Sequence, residues 1–181
     1  MAEFRQGSIV VVTIGFQEPV AYTDSNPWSE ETADIDEHIE NYGLQLNPKF
    51  QRGHVWTEEQ QIKWLEFFLR GGRTSRIIYL NKPDWHSKVS EGTYNEFVCV
   101  DGLQRLTAIR RFVNGEIPVF GSYIYEFEDK MSLVRDSIKV NINDLKSEKE
   151  VLQWYVDMNS GGTPHTSDEI ERVRKMIYEL E

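Results

Sequence analysis

The sequence has 181 residues and a net charge of −10, and hydrophobic residues make up 39% of it. This composition suits one globular domain with a real core and argues against disorder. It disfavours broad binding to duplex DNA, because that requires many phosphates to be neutralised. The single cysteine excludes an intrachain disulfide, so we expect a cytoplasmic protein. No apolar run reaches the roughly 18–20 residues of a membrane helix and no signal peptide is evident, so no membrane partner is expected.

The N-terminal part of the chain predicts one strand and two helices. A β-branched run indicates a strand at residues 8–14, and acidic residues 30–41 show helical spacing. A capping box at Thr57–Gln60 begins the second helix, which Gly71 and Gly72 end.

The middle of the chain predicts five strands and one helix. The helix follows Asp101-Gly102 and stops at Asn114-Gly115. The predicted strands are 77–80, 98–100, 117–120, 123–127 and 138–142.

Two more helices complete the prediction. Capping boxes at Ser147–Glu150 and Thr166–Glu169 begin them, and the segment Asn159–Pro164 separates them. The mixture of elements predicts an α+β fold with one compact core. We interpret residues 1–181 as a single domain, in which residues 1–33 are an N-terminal extension.

The junction between the strand at 98–100 and the following helix is the most informative feature of the sequence. A helix N-terminus offers unpaired N–H groups and a partial positive charge, which favour an anion. Gly102 allows close approach of another backbone or of a ligand. Arg105 supplies a planar fork suited to phosphate or carboxylate. The junction therefore predicts a site for a negatively charged ligand.

Each side chain at this junction also has a structural alternative. Arg105 either binds phosphate or pairs with an acid on the helix surface. Asp101 either holds Mg²⁺ and directs a water, or caps the following helix. Gln104 either orients a water or a base edge, or is a solvated helix residue.

Residues outside the junction carry weaker expectations. Cys99 is expected to be a small buried hydrophobe and Trp56 a core anchor. His54, beside Arg52, is a candidate general base or phosphate donor. No histidine pair has metal-ligand spacing, so zinc is not expected. The turn Arg70–Arg73 is a candidate phosphate or nucleic-acid contact, or a solvated helix end.

Three segments together resemble the N-terminal domain of GmrSD-type restriction endonucleases, within the ParB/sulfiredoxin superfamily. The segments are Asn47–Trp56, Asp101–Arg105 and Asn159–Pro164, within a resemblance that covers residues 34–175. In that family the corresponding motifs read Tyr-Gln-Arg…Trp, Asp-Gly-Gln-Gln-Arg and Asn-x-Gly-Gly-Thr-Pro-Leu. Three motifs in the same order are more specific than any one of them.

The resemblance implies a ParB-like nucleotide-binding fold, with a small mixed sheet and flanking helices. It also implies binding or hydrolysis of a nucleoside triphosphate with Mg²⁺, in a restriction system that defends against phage DNA. The implied catalytic residues are Asp101, Gln104 and Arg105, with Asp101 as the metal ligand. The implied nucleotide-binding residues are Gln51, Arg52, Gly102, Arg105, Gly162 and Thr163.

The departures from the family pattern leave other functions open. Leu103 replaces the first Gln of the signature, and it stands where sulfiredoxins have their catalytic cysteine. The second, His-Asn-His-type nuclease domain of the larger restriction proteins is not seen in this sequence. The alternatives are a non-catalytic module that binds a protein partner, and a ParB-like DNase.

Overall fold

A four-stranded mixed sheet runs through the part of the chain that the structure describes. The computed structural model describes residues 9–10, 35–85, 94–127, 138–160 and 167–180. The strands are β1 (Ile9–Val10), β2 (Ile77–Asn81), β3 (Val98–Asp101) and β4 (Lys139–Asn143), in the order β1-β4-β2-β3. The central pair, β4 and β2, is parallel, whereas both outer pairs are antiparallel.

Helices pack on both faces of this sheet. Within the described residues they are α1 (Ile35–Tyr42), α2 (Glu58–Leu69), α3 (Leu103–Val113), α4 (Glu148–Ser160), α5 (Ser167–Glu179) and a 3-10 helix (Ile124–Glu126). The predicted capping boxes of α2 and α4 are confirmed, since Thr57 and Ser147 accept hydrogen bonds from the N–H groups three residues on. The predicted box at Thr166 begins outside the described residues.

The sheet divides the apolar interior into two clusters. In β3, Cys99 belongs to the cluster under α2 and α3, whereas Val98 and Val100 belong to the cluster under α4 and α5. All three side chains are buried. The single predicted core is therefore split, because a strand that is apolar on both faces needs a helical layer on each. The predicted α+β class, with a small mixed sheet and flanking helices, is confirmed.

The predicted strand at 117–120 is not formed. Only an isolated bridge joins Val119 to Ser122. Phe120 has a φ of 52° and Gly121 a φ of 79°, so the chain turns back at once. A left-handed pair of residues cannot continue an extended strand.

The predicted strand at 123–127 is also wrong. The structure has a 3-10 helix at Ile124–Glu126 instead. The Glu126 carboxylate accepts a hydrogen bond from the Tyr123 N–H at 2.7 Å and closes this short turn. A local capping contact therefore overrides the β propensity of the aromatic residues.

The predictions for the N-terminal part are only partly within the described residues. β1 falls inside the predicted strand at 8–14, and α1 overlaps the predicted helix at 30–41. Residues 8 and 11–14 of the predicted strand and residues 30–34 of the predicted helix lie outside the described part.

Candidate functional site

β3 passes into α3 through Gly102, and the backbone there requires glycine. Gly102 has a φ of 128°. A Cβ atom at this position would lie 2.5 Å from Ile78 Cδ1 on β2. The close approach predicted for this glycine is therefore made by a side chain of the neighbouring strand.

Asp101 and Arg105 form an ion pair at this junction. Arg105 Nη2 lies 2.5 Å from Asp101 Oδ2, and Nη1 donates to the Ile77 carbonyl oxygen at 2.7 Å. The Arg105 side chain is 12% exposed and that of Asp101 is 42% exposed. The interpretation of Asp101 as the cap of α3 is wrong, because the N-cap residue is Gly102 and no side chain caps it. Arg105, one helical turn on, takes the carboxylate instead.

Gln104 joins α3 to the first motif. Its Oε1 accepts hydrogen bonds from the N–H groups of Val55 and Trp56, both at 3.0 Å, and its Nε2 donates to the Gly53 carbonyl oxygen at 2.9 Å. Both ends of the amide are thus used within the protein. The sequence alternatives, a water-orienting group or a solvated residue, did not include this role.

Two more side chains hold the first motif, which we call the motif loop (residues 47–56). Gln51 Nε2 donates to the carbonyl oxygens of Cys99 and Val100, both at 3.0 Å. Arg172 on α5 donates to three successive carbonyl oxygens, of Lys49 (3.3 Å), Phe50 (2.9 Å) and Gln51 (3.2 Å). The motif loop is therefore fixed to β3, α3 and α5 at once.

Arg52 extends from the motif loop towards α5. Its Nη1 lies 3.5 Å from Glu169 Oε2, and the two side chains are 29% and 22% exposed. The contact is longer than a well-formed charge-assisted hydrogen bond, for which about 2.7–2.9 Å is usual. Arg52 is thus a partly exposed cation in a weak ion pair.

Tyr155 of α4 lies among these charges. Its ring is buried and packs edge-on against Phe50, with ring centroids 5.2 Å apart. Burial raises the pKa of the Tyr155 hydroxyl, with Glu169 adding to the rise and Arg52 opposing it. The Arg172 charge also lowers the pKa of this hydroxyl and the Asp101 charge raises it. We call Arg52, Asp101, Arg105, Tyr155, Glu169 and Arg172 the motif cluster.

The motif cluster can bind an anion. It holds three guanidinium groups and two carboxylates, so it carries a net positive charge within a protein of net charge −10. Among the described residues, Arg52 bonds only Glu169, and Asp101 uses only Oδ2. An exposed guanidinium with unused N–H groups is suited to the paired oxygens of a phosphate.

The remaining predicted residues lie elsewhere or outside the described part. Gly162 and Thr163 belong to residues 161–166, which the structure does not describe. His54 is exposed, and partial burial together with Arg111 lowers its pKa. Cys99 is buried as predicted, and burial raises the pKa of its thiol. No group of three or more His, Cys, Asp or Glu side chains with the arrangement of a metal site occurs in the described ranges.

The turn after α2 borders an open cleft of about 460 Å³. Two arginines at this turn and just after it are engaged: the Arg70 guanidinium lies 4.8 Å from the Phe120 ring centroid, and Arg76 donates to the carbonyl oxygens of Phe68 and Gly72. The cleft is lined by Lys63, Glu66, Phe67, Arg70, Gly71 and Gly72. The structure therefore gives this turn a role in closing the C-terminal end of α2.

The sequence matches the family described as the GmrSD restriction endonuclease, N-terminal domain, over residues 34–137. The chain belongs to this family. The matched range contains the motif loop and the Asp101–Arg105 signature, so the predicted family is confirmed. Neither the curated proteins nor the solved structures gave a match. Among the described residues of this GmrSD-type domain, no helix has both the length and the apolar character needed to cross a membrane.

Part of the motif cluster lies beyond the family match. Tyr155, Glu169 and Arg172 belong to α4 and α5, which follow residue 137. Sequence reasoning assigned Glu169 to a capping box and did not select Tyr155 or Arg172. Arg172 is more than 120 residues from the carbonyl groups it binds, so no local pattern could reveal the contact.

Proposed function

We propose that this chain is a nucleotide-binding domain of a DNA restriction system and that the motif cluster binds the phosphates of a nucleoside triphosphate. The family's own description names a restriction endonuclease. Gln51 bonds the carbonyl oxygens just before Asp101, and Gly53 is bonded by Gln104, so Arg52 is held beside the Asp101–Arg105 signature; this convergence of two motifs is the observation that carries the proposal.

Arg52 is the principal phosphate ligand in this proposal. It is more exposed than Arg105, and its remaining N–H groups have no partner among the described residues. Arg105 adds positive charge without being the direct phosphate ligand, since its side chain is 12% exposed and its guanidinium bonds Asp101 and the Ile77 carbonyl oxygen. Arg172 keeps the motif loop in place by holding its carbonyl groups.

Mg²⁺ enters the proposal only together with the phosphates. Asp101 offers one carboxylate oxygen that is not bonded within the described residues, and its other oxygen is held by Arg105. These residues do not make a dedicated metal site by themselves. A Mg²⁺ ion bound through one carboxylate, phosphates and water is the usual arrangement at nucleotide sites.

Calorimetric titration tests the proposal directly. Wild type is titrated with each of ATP, GTP, CTP and UTP up to millimolar concentration, with and without Mg²⁺. Binding that Arg52→Ala weakens by about tenfold or more supports it, in keeping with loss of a charge-assisted phosphate contact. No binding of any nucleotide by folded wild type overturns it. Release of inorganic phosphate in the same samples measures whether Asp101 and Gln104 also support hydrolysis.

The second candidate function is a non-catalytic module that binds a protein partner of the restriction system. The observation in its favour is that Gln51, Gln104 and Arg105 all bond within the protein. Absence of nucleotide binding and hydrolysis, together with a defined complex with a purified partner subunit, favours this candidate. Plasmid nicking by the isolated chain with metal ions would instead indicate the DNase alternative.

A further inference from the structure

We propose that the Glu169 carboxylate pairs with Arg52 when no ligand is bound, and that a phosphate oxygen of the ligand replaces this carboxylate on binding. The inference rests on the proposed nucleotide-binding function. It assigns a role to a residue of α5, which lies beyond the family match.

The Arg52–Glu169 contact has the geometry of a replaceable pair. A single nitrogen, Nη1, lies 3.5 Å from one oxygen, so the contact is neither short nor bidentate. Both side chains are partly exposed, which allows water and ions to reach them. An ion pair of this kind stabilises little and is readily broken.

The exchange does not require α5 to move. Val173, four residues after Glu169, is buried, and Arg172 is fastened to three backbone carbonyl groups of the motif loop. The backbone that carries Glu169 is therefore fixed, as is the motif loop that carries Arg52. The Arg52 and Glu169 side-chain ends separate while both backbones stay in place, and a phosphate with more than one oxygen can replace one carboxylate oxygen.

Because the backbone is fixed, the Glu169 carboxylate stays near Arg52 and lowers the affinity for a phosphate ligand. As long as the ligand is absent, the carboxylate shields the positive charge of Arg52. When the phosphate binds, the same carboxylate is left close to a second anion. Glu169 therefore opposes binding twice, by competition and by repulsion, and it lowers affinity for any anion that uses Arg52.

Glu169→Gln tests this role because the amide keeps the shape of the side chain and removes its charge. Inorganic triphosphate is the probe, so that no base contact contributes, and affinities are measured by calorimetry at constant ionic strength. Exposed ion pairs change an equilibrium constant by roughly 1.5- to 5-fold. We expect Glu169→Gln to bind triphosphate about two- to fivefold more tightly than wild type.

Glu171→Gln is the matched control. Glu171 is exposed on the same helix, two positions further on, and its substitution changes the net charge equally. It should leave the affinity within about 1.5-fold, because residues two apart on a helix do not share a face and a single exposed charge interacts weakly in water. The same pair of substitutions is then made with Arg52→Gln in the background, where the gain from Glu169→Gln should become smaller, because competition for Arg52 is lost and only the repulsion remains.

The outcomes separate this inference from the proposed function. Equal tightening by Glu169→Gln and Glu171→Gln, or a gain that is undiminished with Arg52→Gln, overturns the exchange and leaves nucleotide binding intact. Weaker binding by Glu169→Gln means that Glu169 supports the ligand, which also overturns the exchange. No binding of triphosphate or nucleotide by wild type or Glu169→Gln overturns both proposals.

Discussion

The side-chain amide of Gln104 lies 2.9 Å from the Gly53 carbonyl oxygen, and this contact joins the two motifs within the family match. The opposite end of the same amide accepts from Val55 and Trp56. Gln104 thus makes the backbone hydrogen bonds that a neighbouring strand would otherwise make with this side of the motif loop. Arg52 can point into the motif cluster only if this loop keeps its path, so Gln104 acts on the site through the loop.

Gln104→Ala should lower the free energy of unfolding by about 1–2 kcal/mol. Three hydrogen bonds are lost, but Val55 is exposed, so water compensates part of the loss. Urea denaturation measures the change. Gln153→Ala is the control, because Gln153 is exposed and its side chain, within the described residues, bonds Asp157 on its own helix. Equal stability losses in the two variants would contradict the role given to Gln104.

Gly102→Ala should be more harmful than Gly43→Ala, although both glycines have positive φ. The Gly43 site has a φ of 69° and no atom within 4 Å of an added Cβ, so its cost is conformational, about 1–2 kcal/mol. At Gly102 the added Cβ also meets Ile78 at 2.5 Å. Overpacking adds about 1–3 kcal/mol to the loss of unfolding free energy. Thermal or urea unfolding compares the pair, and similar losses would mean that the Ile78 contact relaxes freely.

Arg105→Ala should lower the unfolding free energy by about 1–3 kcal/mol, because the Ile77 carbonyl and Asp101 lose a charged donor. Arg105→Lys should recover only part of this loss, since an ammonium group does not reproduce the planar fork. Urea unfolding of the three proteins checks the order. An alanine variant as stable as wild type that no longer binds nucleotide would instead make Arg105 purely a ligand residue.

Arg172→Ala should loosen the motif loop and weaken nucleotide binding without removing a phosphate ligand. The three carbonyl groups that Arg172 holds lie just before Arg52 in sequence. Amide hydrogen exchange should rise in residues 49–56, and affinity should fall severalfold. Arg174→Ala, an exposed residue of the same helix, should change neither quantity. If amide hydrogen exchange in residues 49–56 were unchanged in Arg172→Ala, Arg172 would not position the motif loop.

The pH dependence of stability should contain a contribution from His54. Partial burial and the Arg111 charge lower its pKa from the usual 6.5, so the folded state resists protonation more than the unfolded chain does. As pH falls below about 6.5, the unfolded state takes up more protons, and the unfolding free energy decreases. His54→Gln should therefore lose less stability than wild type between about pH 7.5 and about pH 5. Parallel pH curves for the two proteins would contradict this assignment.

The sequence by itself determined the elements whose signals are local. Capping boxes marked the starts of α2 and α4, and the Asp101-Gly102 junction marked the passage from β3 to α3. These signals depend on groups three or four residues apart, so one stretch of chain contains all of the information. The burial of Cys99 and the family were also predicted from the residues and are confirmed.

Only the tertiary structure decided what the polar side chains do. Asp101 pairs with Arg105, one helical turn away, and does not cap the helix. Gln51 and Gln104 bond backbone carbonyl groups about 50 residues away. Arg52 meets Glu169, at a separation of 117 residues, because α5 packs beside the motif loop. Such partners are chosen by the fold, since a side chain bonds whichever donor or acceptor packing brings within about 3 Å.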